Sequence, residues 1–465
     1  MKAKKIFILL PDGIGLRNFA YTSFVDIGEK LGWEVVFWNS TPFDLTSLGF
    51  QEIKLTGKPR AWTDLLKRAK INTELNHFSK KFNDPVYNSY KFTPSTTNFK
   101  TSIKNKIVFG LTRYYKGESG LLKLRSHLQR SECNSDYFKE CKLVLEREKP
   151  DFLFCCNQRA VTAISPVEAA KNLNIPTAAF IFSWDNLSKA TMIIEPDYYF
   201  VWSDYMQQEL IKYYPHIQES EIHSTGTPQF EPHFNNSLIE SKDVFYNKHG
   251  LDEERIYICY SGDDVTTSPN DPKYLEDVVE AVSSLNKRGF KVGIIFRRCP
   301  VDFSDRYDVV LEKFKGLIIE IKPRWSDMGG QWNTIFPLKE DLSLQVNTIY
   351  HSIAIINLGS TMVFDAAAQN RPCFYINYNV KNKRIQDWSV KKIYKYVHFR
   401  SMPSSNAVIW INNPAEISGR IIEVIKNNNV VNVKEAQSWF KIINKFPAEK
   451  ASERIWKGIN EISEI

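Results

Sequence analysis

The 465-residue chain has no apolar run long enough to cross a bilayer; the run near its start, Ile6 to Leu10, is far too short and is followed by no signal-peptide cleavage pattern. A cytoplasmic location is expected. Cysteine is sparse, with seven residues, an odd number, and none at the paired spacing of a metal site. Cys155 and Cys156 sit together inside an apolar run and read as core thiols in a reducing compartment. The first glycine loop, Gly13 and Gly15, has no G-x-x-G continuation, so a dinucleotide fingerprint is excluded. No nucleic-acid-binding motif is present, and no polynucleotide partner is expected. With 43% hydrophobic and 25% charged residues, the composition is that of a folded globular protein. At this length two domains are expected.

The net charge of +8 is unevenly spread. Between Thr56 and Lys149 there are 20 Lys and Arg against 9 Asp and Glu, a surplus of 11 that exceeds that of the whole chain. Within this region Ile103, Ile107, Val108, Leu111, Tyr114 and Tyr115 mix with Lys104, Lys106, Arg113 and Lys116, and a leucine-rich stretch from Leu121 to Leu128 carries Lys123 and Arg125. Two readings stand: helices packed on a sheet with a solvated basic face, or basic amphipathic helices lying on an anionic membrane surface.

Outside this region, strands and helices alternate. Lys5 to Leu10 and Glu34 to Trp38 read as strands around a helix, and Asp151 to Cys156, Thr177 to Phe182 and Tyr198 to Trp202 continue the series. Ile256 to Tyr260, Lys291 to Phe296, Leu317 to Ile321 and Ser352 to Asn357 repeat the rhythm, with a loop expected from Asn333 to Asp341. The expected fold class is therefore α/β, with two doubly wound, Rossmann-like domains facing each other. The expected boundaries are 1–233, with 56–149 as a basic helical insertion, 234–433, and a helical tail, 434–465.

The most informative stretch is Asn357 to Pro372. An apolar strand ends in Gly359-Ser360-Thr361, a short helix follows, and Asp365 stands one turn after Thr361. Gly359 permits close backbone approach, while Ser360 and Thr361 can cap the helix whose free N–H groups favour a phosphate. Asp365 could accept hydrogen bonds from sugar hydroxyls beside it. Alternatively, Ser360 and Thr361 only cap the helix and Asp365 is a solvated first-turn acid. This unit resembles the donor-nucleotide motif of GT-B-fold glycosyltransferases, although the ribose-binding acid of that family is usually Glu. Thr225-Gly226-Thr227-Pro228 resembles the exit from the first domain of such enzymes.

The resemblance implies a nucleotide-sugar co-substrate, no other cofactor, no metal, and a final helix returning to the first domain. Ser261, Gly262, Arg297 and Arg298 end neighbouring strands and are expected to join Gly359, Ser360, Thr361 and Asp365 around a diphosphate. Phe336-Pro337 resembles the base-binding turn of the fold. On the acceptor side, the first-strand loop offers Gly13, Gly15, Arg17 and Asn18. Asp12 and Asp185 are the candidate general bases, each with an alternative as a turn residue bonded to its own backbone. Asn357 stands eight residues before Asp365, where many retaining enzymes carry Glu, so inversion is slightly favoured. The expected activity is glycosyl transfer to a saccharide or lipid-linked acceptor in surface-polysaccharide assembly. A teichoic-acid-type polyol-phosphate transferase, a nucleotide-sugar 2-epimerase and a non-catalytic carbohydrate-binding protein are the alternatives.

Overall fold

A computed structural model of the protein describes residues 3–92, 98–328, 335–427 and 429–464. The chain forms two compact units, Met1–Pro228 with Lys450–Ile465, and Gln229–Glu449.

The first unit is built on a seven-stranded parallel sheet. Its strands are β1 (Lys4–Leu10), β2 (Trp33–Asn39), β3 (Gln51–Lys54), β4 (Phe152–Cys155), β5 (Thr177–Phe180), β6 (Tyr198–Val201) and β7 (Ile222–Ser224). Their spatial order is β3-β2-β1-β4-β5-β6-β7. Ile6 to Leu10 and Phe152 to Cys155 are completely buried, the continuous apolar signature of a parallel strand covered on both faces. Strand order reverses direction between β1 and β4, whose registers pair Ile6 with Phe152 and Leu9 with Cys155.

The basic region forms four helices, Ala61–Lys81, Phe99–Tyr114, Gly117–Arg130 and Asp136–Glu148. Two of its cations are not surface charges. Lys70 and Arg125 are buried around Glu74, which receives Lys70 Nζ at 2.7 Å and Arg125 Nη2 at 2.6 Å. Arg125 Nη1 also lies 3.0 Å from His216 Nδ1, and Lys70 donates to the Met192 carbonyl. Burial pushes the Lys70 ammonium below its ordinary value, and Glu74 opposes that shift. These contacts tie the helices to the loops after β5 and β6, so the insertion is an integral part of its unit.

In the second unit, β8 (Ile256–Ser261), β9 (Val292–Arg297), β10 (Ile318–Glu320), β13 (Ser352–Asn357), β14 (Cys373–Ile376) and β15 (Ile409–Ile411) form a parallel sheet in the order β10-β9-β8-β13-β14-β15. β11 (Trp325–Asp327) and β12 (Ile335–Pro337) make a separate antiparallel ribbon where a loop was expected; Asn333 lies outside the described residues. The reversal of strand order falls between β8 and β13.

Two boundaries differ from expectation. The second unit begins at Gln229 rather than after His233, because Phe230 packs edge-on against Phe440 at 4.7 Å and His233 is buried within that unit. The tail divides as well. The helix Val430–Ile443 stays with the second unit, where Trp439 meets Phe364 at 4.9 Å. Only the helix Ala451–Ser463 joins the first unit, stacking Trp456 on Phe24 at 5.0 Å and donating Trp456 Nε1 to the Phe24 carbonyl at 2.7 Å. Among the described residues, no helix is long and apolar enough to cross a membrane.

Replacing Glu74 by Ala strands two buried cations and should cost about 3–5 kcal/mol. In a unit of this size that lowers Tm by roughly 6–20 °C. Lys123→Ala, on the exposed face of the same region, should stay within about 0.5 kcal/mol. Thermal unfolding of the two variants checks the contrast.

Candidate functional site

Open parallel sheets bind ligands outside the carboxyl ends of their strands where strand order reverses. In the second unit that position is shared by the loops after β8 and β13. Tyr260 pairs in register with Ile356, so Ser261-Gly262 and Leu358-Gly359-Ser360-Thr361 emerge side by side.

The Gly-Ser-Thr turn is held from beneath. Gly359 has φ +74°, a conformation that favours glycine, and a Cβ there would come within 3.0 Å of Phe399. The glycine therefore serves the turn and the packing of Phe399, Ile393 and Tyr394. Ser360 N–H donates to Asn357 Oδ1 at 2.9 Å, and the Tyr375 hydroxyl donates to the Ser360 carbonyl at 2.9 Å. Ser360 Oγ accepts from Met362 N at 3.3 Å, while Thr361 opens the helix Met362–Ala368 without a side-chain cap. Ser261 is buried at the end of β8, and the Gly262 N–H donates to the Arg297 carbonyl at 2.8 Å.

Four sequence expectations are corrected. Asp365 is neither presented to a ligand nor solvated: it is 2% exposed, and its Oδ1 lies 2.7 Å from His233 Nε2. Gln369 Nε2 donates to the His233 carbonyl at 2.9 Å, completing a buried cluster that fastens the segment after Pro228 to the helix Met362–Ala368. Arg297 turns inward, where Nη2 grips both oxygens of Asp341 at 2.9 and 2.8 Å. Burial alone would raise the Asp341 carboxyl, but Arg297 and the donors from Arg324 N and Trp325 Nε1 hold it below the ordinary aspartate value. Arg297 Nη1 is buried and has no partner among the described residues. Arg298 is engaged with Glu320 at 2.9 Å and the Ser304 carbonyl at 2.6 Å. Phe336 and Pro337 lie buried in β12, so Phe336 offers no open ring face for stacking a base.

Asp263 gains significance. Burial pushes its carboxyl well above the ordinary range, and the charges of Asp271 and Asp264 add to the shift. Asp271 is itself held by the Tyr307 hydroxyl at 2.7 Å and the Tyr260 hydroxyl at 3.2 Å. The switch point therefore carries an acid whose charged form is disfavoured by burial and by two neighbouring carboxylates. In the sequence Asp263 reads only as half of an adjacent acidic pair.

The first unit repeats the arrangement between β1 and β4. Asp12 is 4% exposed; Oδ1 accepts from Ile14 N at 3.2 Å, and Oδ2 from Asn157 Nδ2 at 2.5 Å. Burial raises its pKa against these donors and the nearby Arg159. Asn157 follows an apolar strand as Asp12 does, and that shared position is the sequence signal that marks it. Gly15 is a packing residue, since a Cβ would sit 2.6 Å from Leu10 Cδ2 and 2.7 Å from Cys156 Cβ. Gly13 precedes the helix Ile14–Phe19, on which Arg17 is half-buried and Asn18 buried. Asp185 is committed to its own turn: it pairs with Lys189 and accepts from Ser183 Oγ and Asn186 Nδ2, each at 2.8 Å.

No protein-family model and no curated protein matches the chain. Solved structures match over nearly all of it. S. aureus MnaA in its co-structure with UDP superposes with a TM-score of 0.53 at 12% identity, covering 99% of this chain and 97% of that one. A UDP-N-acetylglucosamine 2-epimerase gives 0.54 at 11%, covering 98% and 95%. A glycosyltransferase from Rickettsia africae gives 0.51 at 10%, covering 99% of each chain. At these identities the likeness is one of fold: two parallel sheets and a C-terminal helix in the GT-B arrangement.

Removing the Asp365 carboxylate leaves His233 buried and unpaired. Asp365→Ala should therefore lower stability by about 1.5–3 kcal/mol. Nucleotide affinity should change less than twofold once the variant is fully folded. Chemical denaturation and calorimetric titration together check this; a large affinity loss with unchanged stability would return Asp365 to the ligand.

Proposed function

We propose that the second unit binds a nucleotide-sugar and that the protein transfers the sugar to a saccharide or lipid-linked acceptor in surface-polysaccharide assembly. The observation that carries this reading is the pairing of Ser261-Gly262 with the Gly359-Ser360-Thr361 turn at the β8/β13 switch point. This pairing sets the Ser360 hydroxyl and the opening of the helix Met362–Ala368 beside Ser261-Gly262, a placement that suits a diphosphate and its sugar.

In the reaction so assigned, an acceptor hydroxyl attacks the anomeric carbon, the bond to the phosphate oxygen breaks, and the nucleoside diphosphate leaves with that bonding pair. Asp12 takes the hydroxyl proton. Its raised pKa brings it nearer the operating pH than an ordinary aspartate, whereas the Lys189 ion pair holds Asp185 in a structural role. Epimerisation at C2 of a UDP-sugar is the second reading, favoured by the UDP-N-acetylglucosamine 2-epimerases among the similar folds. The exposed basic surface of the insertion would suit a lipid-linked acceptor and is the feature that favours transfer.

Thermal shifts with UDP, GDP, CMP and CDP test the site first, because a ligand at 100 times its Kd adds about 2.7 kcal/mol. No shift with any of them would favour a non-catalytic binding protein. With the sugar form of the stabilising nucleotide, release of nucleoside diphosphate that requires an acceptor identifies transfer. Conversion without an acceptor identifies epimerisation, and release of CMP from a CDP-polyol identifies polyol-phosphate transfer.

Asp12→Asn should depress turnover about 10²–10⁴-fold while the nucleotide shift persists. Wild-type turnover should rise with pH through a limb above the ordinary aspartate range, since the base acts deprotonated. Stability has the opposite sign. A carboxyl raised in the folded state contributes stability below its unfolded pKa and loses it as pH climbs through the folded value. At neutral pH the Asn variant should therefore be at least as stable as the wild type. Near-normal turnover in the variant would remove Asp12 from the chemistry.

A further inference from the structure

The helix Phe99–Tyr114 is two-faced in a way that a helix packed against its neighbours with only a charged outer face is not. Its inner side, including the 4%-exposed Val108, packs against the helix Ala61–Lys81, with Asn105 Oδ1 accepting from Arg68 Nη2 at 2.6 Å. Its outer side carries Phe99, Ile103, Ile107, Gly110 and Tyr114, at spacings of four, four, three and four. These residues lie on one stripe at 3.6 residues per turn. They are not core: Phe99 and Tyr114 are each 79% exposed, Ile103 42%, and Ile107 37%, with Phe109 beside them at 66%. An exposed apolar surface of this extent marks an interaction site.

The charge around the stripe selects its occupant. The helix contains no acidic residue; exposed Lys100 and Lys104 flank the stripe on one side, and Lys106 and Arg113 on the other. On the side of the helix turned toward Ala61–Lys81, a cavity of 990 Å³ is lined by Lys67, Lys91, Arg113 and Lys116, with Asp64 paired to Lys67 at 3.5 Å, over apolar Ile71 and Phe109. A polyanion such as nucleic acid would match the cations but leave the isoleucines and phenylalanines in water. A protein partner would have to be both strongly acidic and apolar. Acyl chains beneath a layer of anionic phosphate headgroups match both features, in the order an interfacial helix presents them.

From this juxtaposition we propose that the face of Phe99–Tyr114 docks the protein on an anionic phospholipid bilayer, with the stripe entering the headgroup boundary and the flanking Lys100, Lys104, Lys106 and Arg113 meeting headgroup phosphates. The proposal stands on the first unit alone and does not depend on the transferase reading.

The test is co-sedimentation of the full chain with phosphatidylcholine vesicles with and without phosphatidylglycerol, over a salt series. Binding should require phosphatidylglycerol and fall as salt rises. Each lysine near the surface contributes about fivefold, so K100Q/K104Q/K106Q should weaken binding on the order of a hundredfold. I103S/I107S should weaken it at least about tenfold while keeping every charge. The three lysines are exposed but Ile103 and Ile107 are partly covered, so Tm is read for both variants and F99S/Y114S, at two positions each 79% exposed, should weaken binding likewise with Tm near that of the wild type, separating docking from unfolding. Equal binding to pure phosphatidylcholine, no binding to either vesicle, or unchanged binding by I103S/I107S would overturn the proposal. So would a dimer in sedimentation velocity that I103S/I107S converts to monomer, because the stripe would then belong to a second copy of the chain.

Discussion

A parallel strand covered by helices on both faces has no room for polar side chains along its length, and its neighbours can be reached only by crossovers. Both sheets obey this constraint, and much else follows from it. Ile6 to Leu10, Phe152 to Cys155 and Ile355-Ile356 are buried without exception, so the polar chemistry of each unit is displaced to the loops at the strands' carboxyl ends. Where strand order reverses, two such loops diverge and leave a polar recess between them. The first unit fills that position with Asp12 and Asn157, the second with Asp263 and the Gly-Ser-Thr turn.

The buried polar groups that remain are paired over long sequence distances, and they decide how the segments between strands are held. His233 and Asp365 are separated by 132 residues, Glu74 and Arg125 by 51, and Arg297 and Asp341 by 44. Each pair joins a connecting segment to a sheet or to a helix packed on it. Each is costly to break because the surviving partner would stay buried and unpaired. Charge in this protein is thus of two kinds: a few buried ions that fix the architecture, and an exposed basic surface on the helices of the insertion.

That division explains what the sequence disclosed. The long strands were legible because a continuous apolar run bounded by Gly, Ser or Asp has few other meanings. β3, β11, β12 and β15 were not: at three or four residues in edges or a side ribbon, such strands show only where the apolar run outlasts the pairing, as Leu317 to Ile321 does at β10. The Gly-Ser-Thr turn was legible as a turn, since Gly359 needs its positive φ. Asp365 and Arg297 were legible as charged residues at strand and helix ends, but nothing local revealed that His233 and Asp341 would turn them inward. For the same reason Lys70 and Arg125 read as part of a basic surface. The unit boundary was misplaced by a few residues because Phe230 and His233 belong to the core of the segment that follows them.

The account rests on the nucleotide sitting at the β8/β13 switch point, beside the Gly-Ser-Thr turn, with the Arg297–Asp341 pair left intact. Amide hydrogen exchange of the full chain, with and without the nucleoside diphosphate that stabilises it most, tests this directly. The account predicts slowed exchange concentrated in 261–264 and 358–364, with the amides around Asp341 unchanged. Protection confined to other loops of the second unit, or to the first unit, would contradict it.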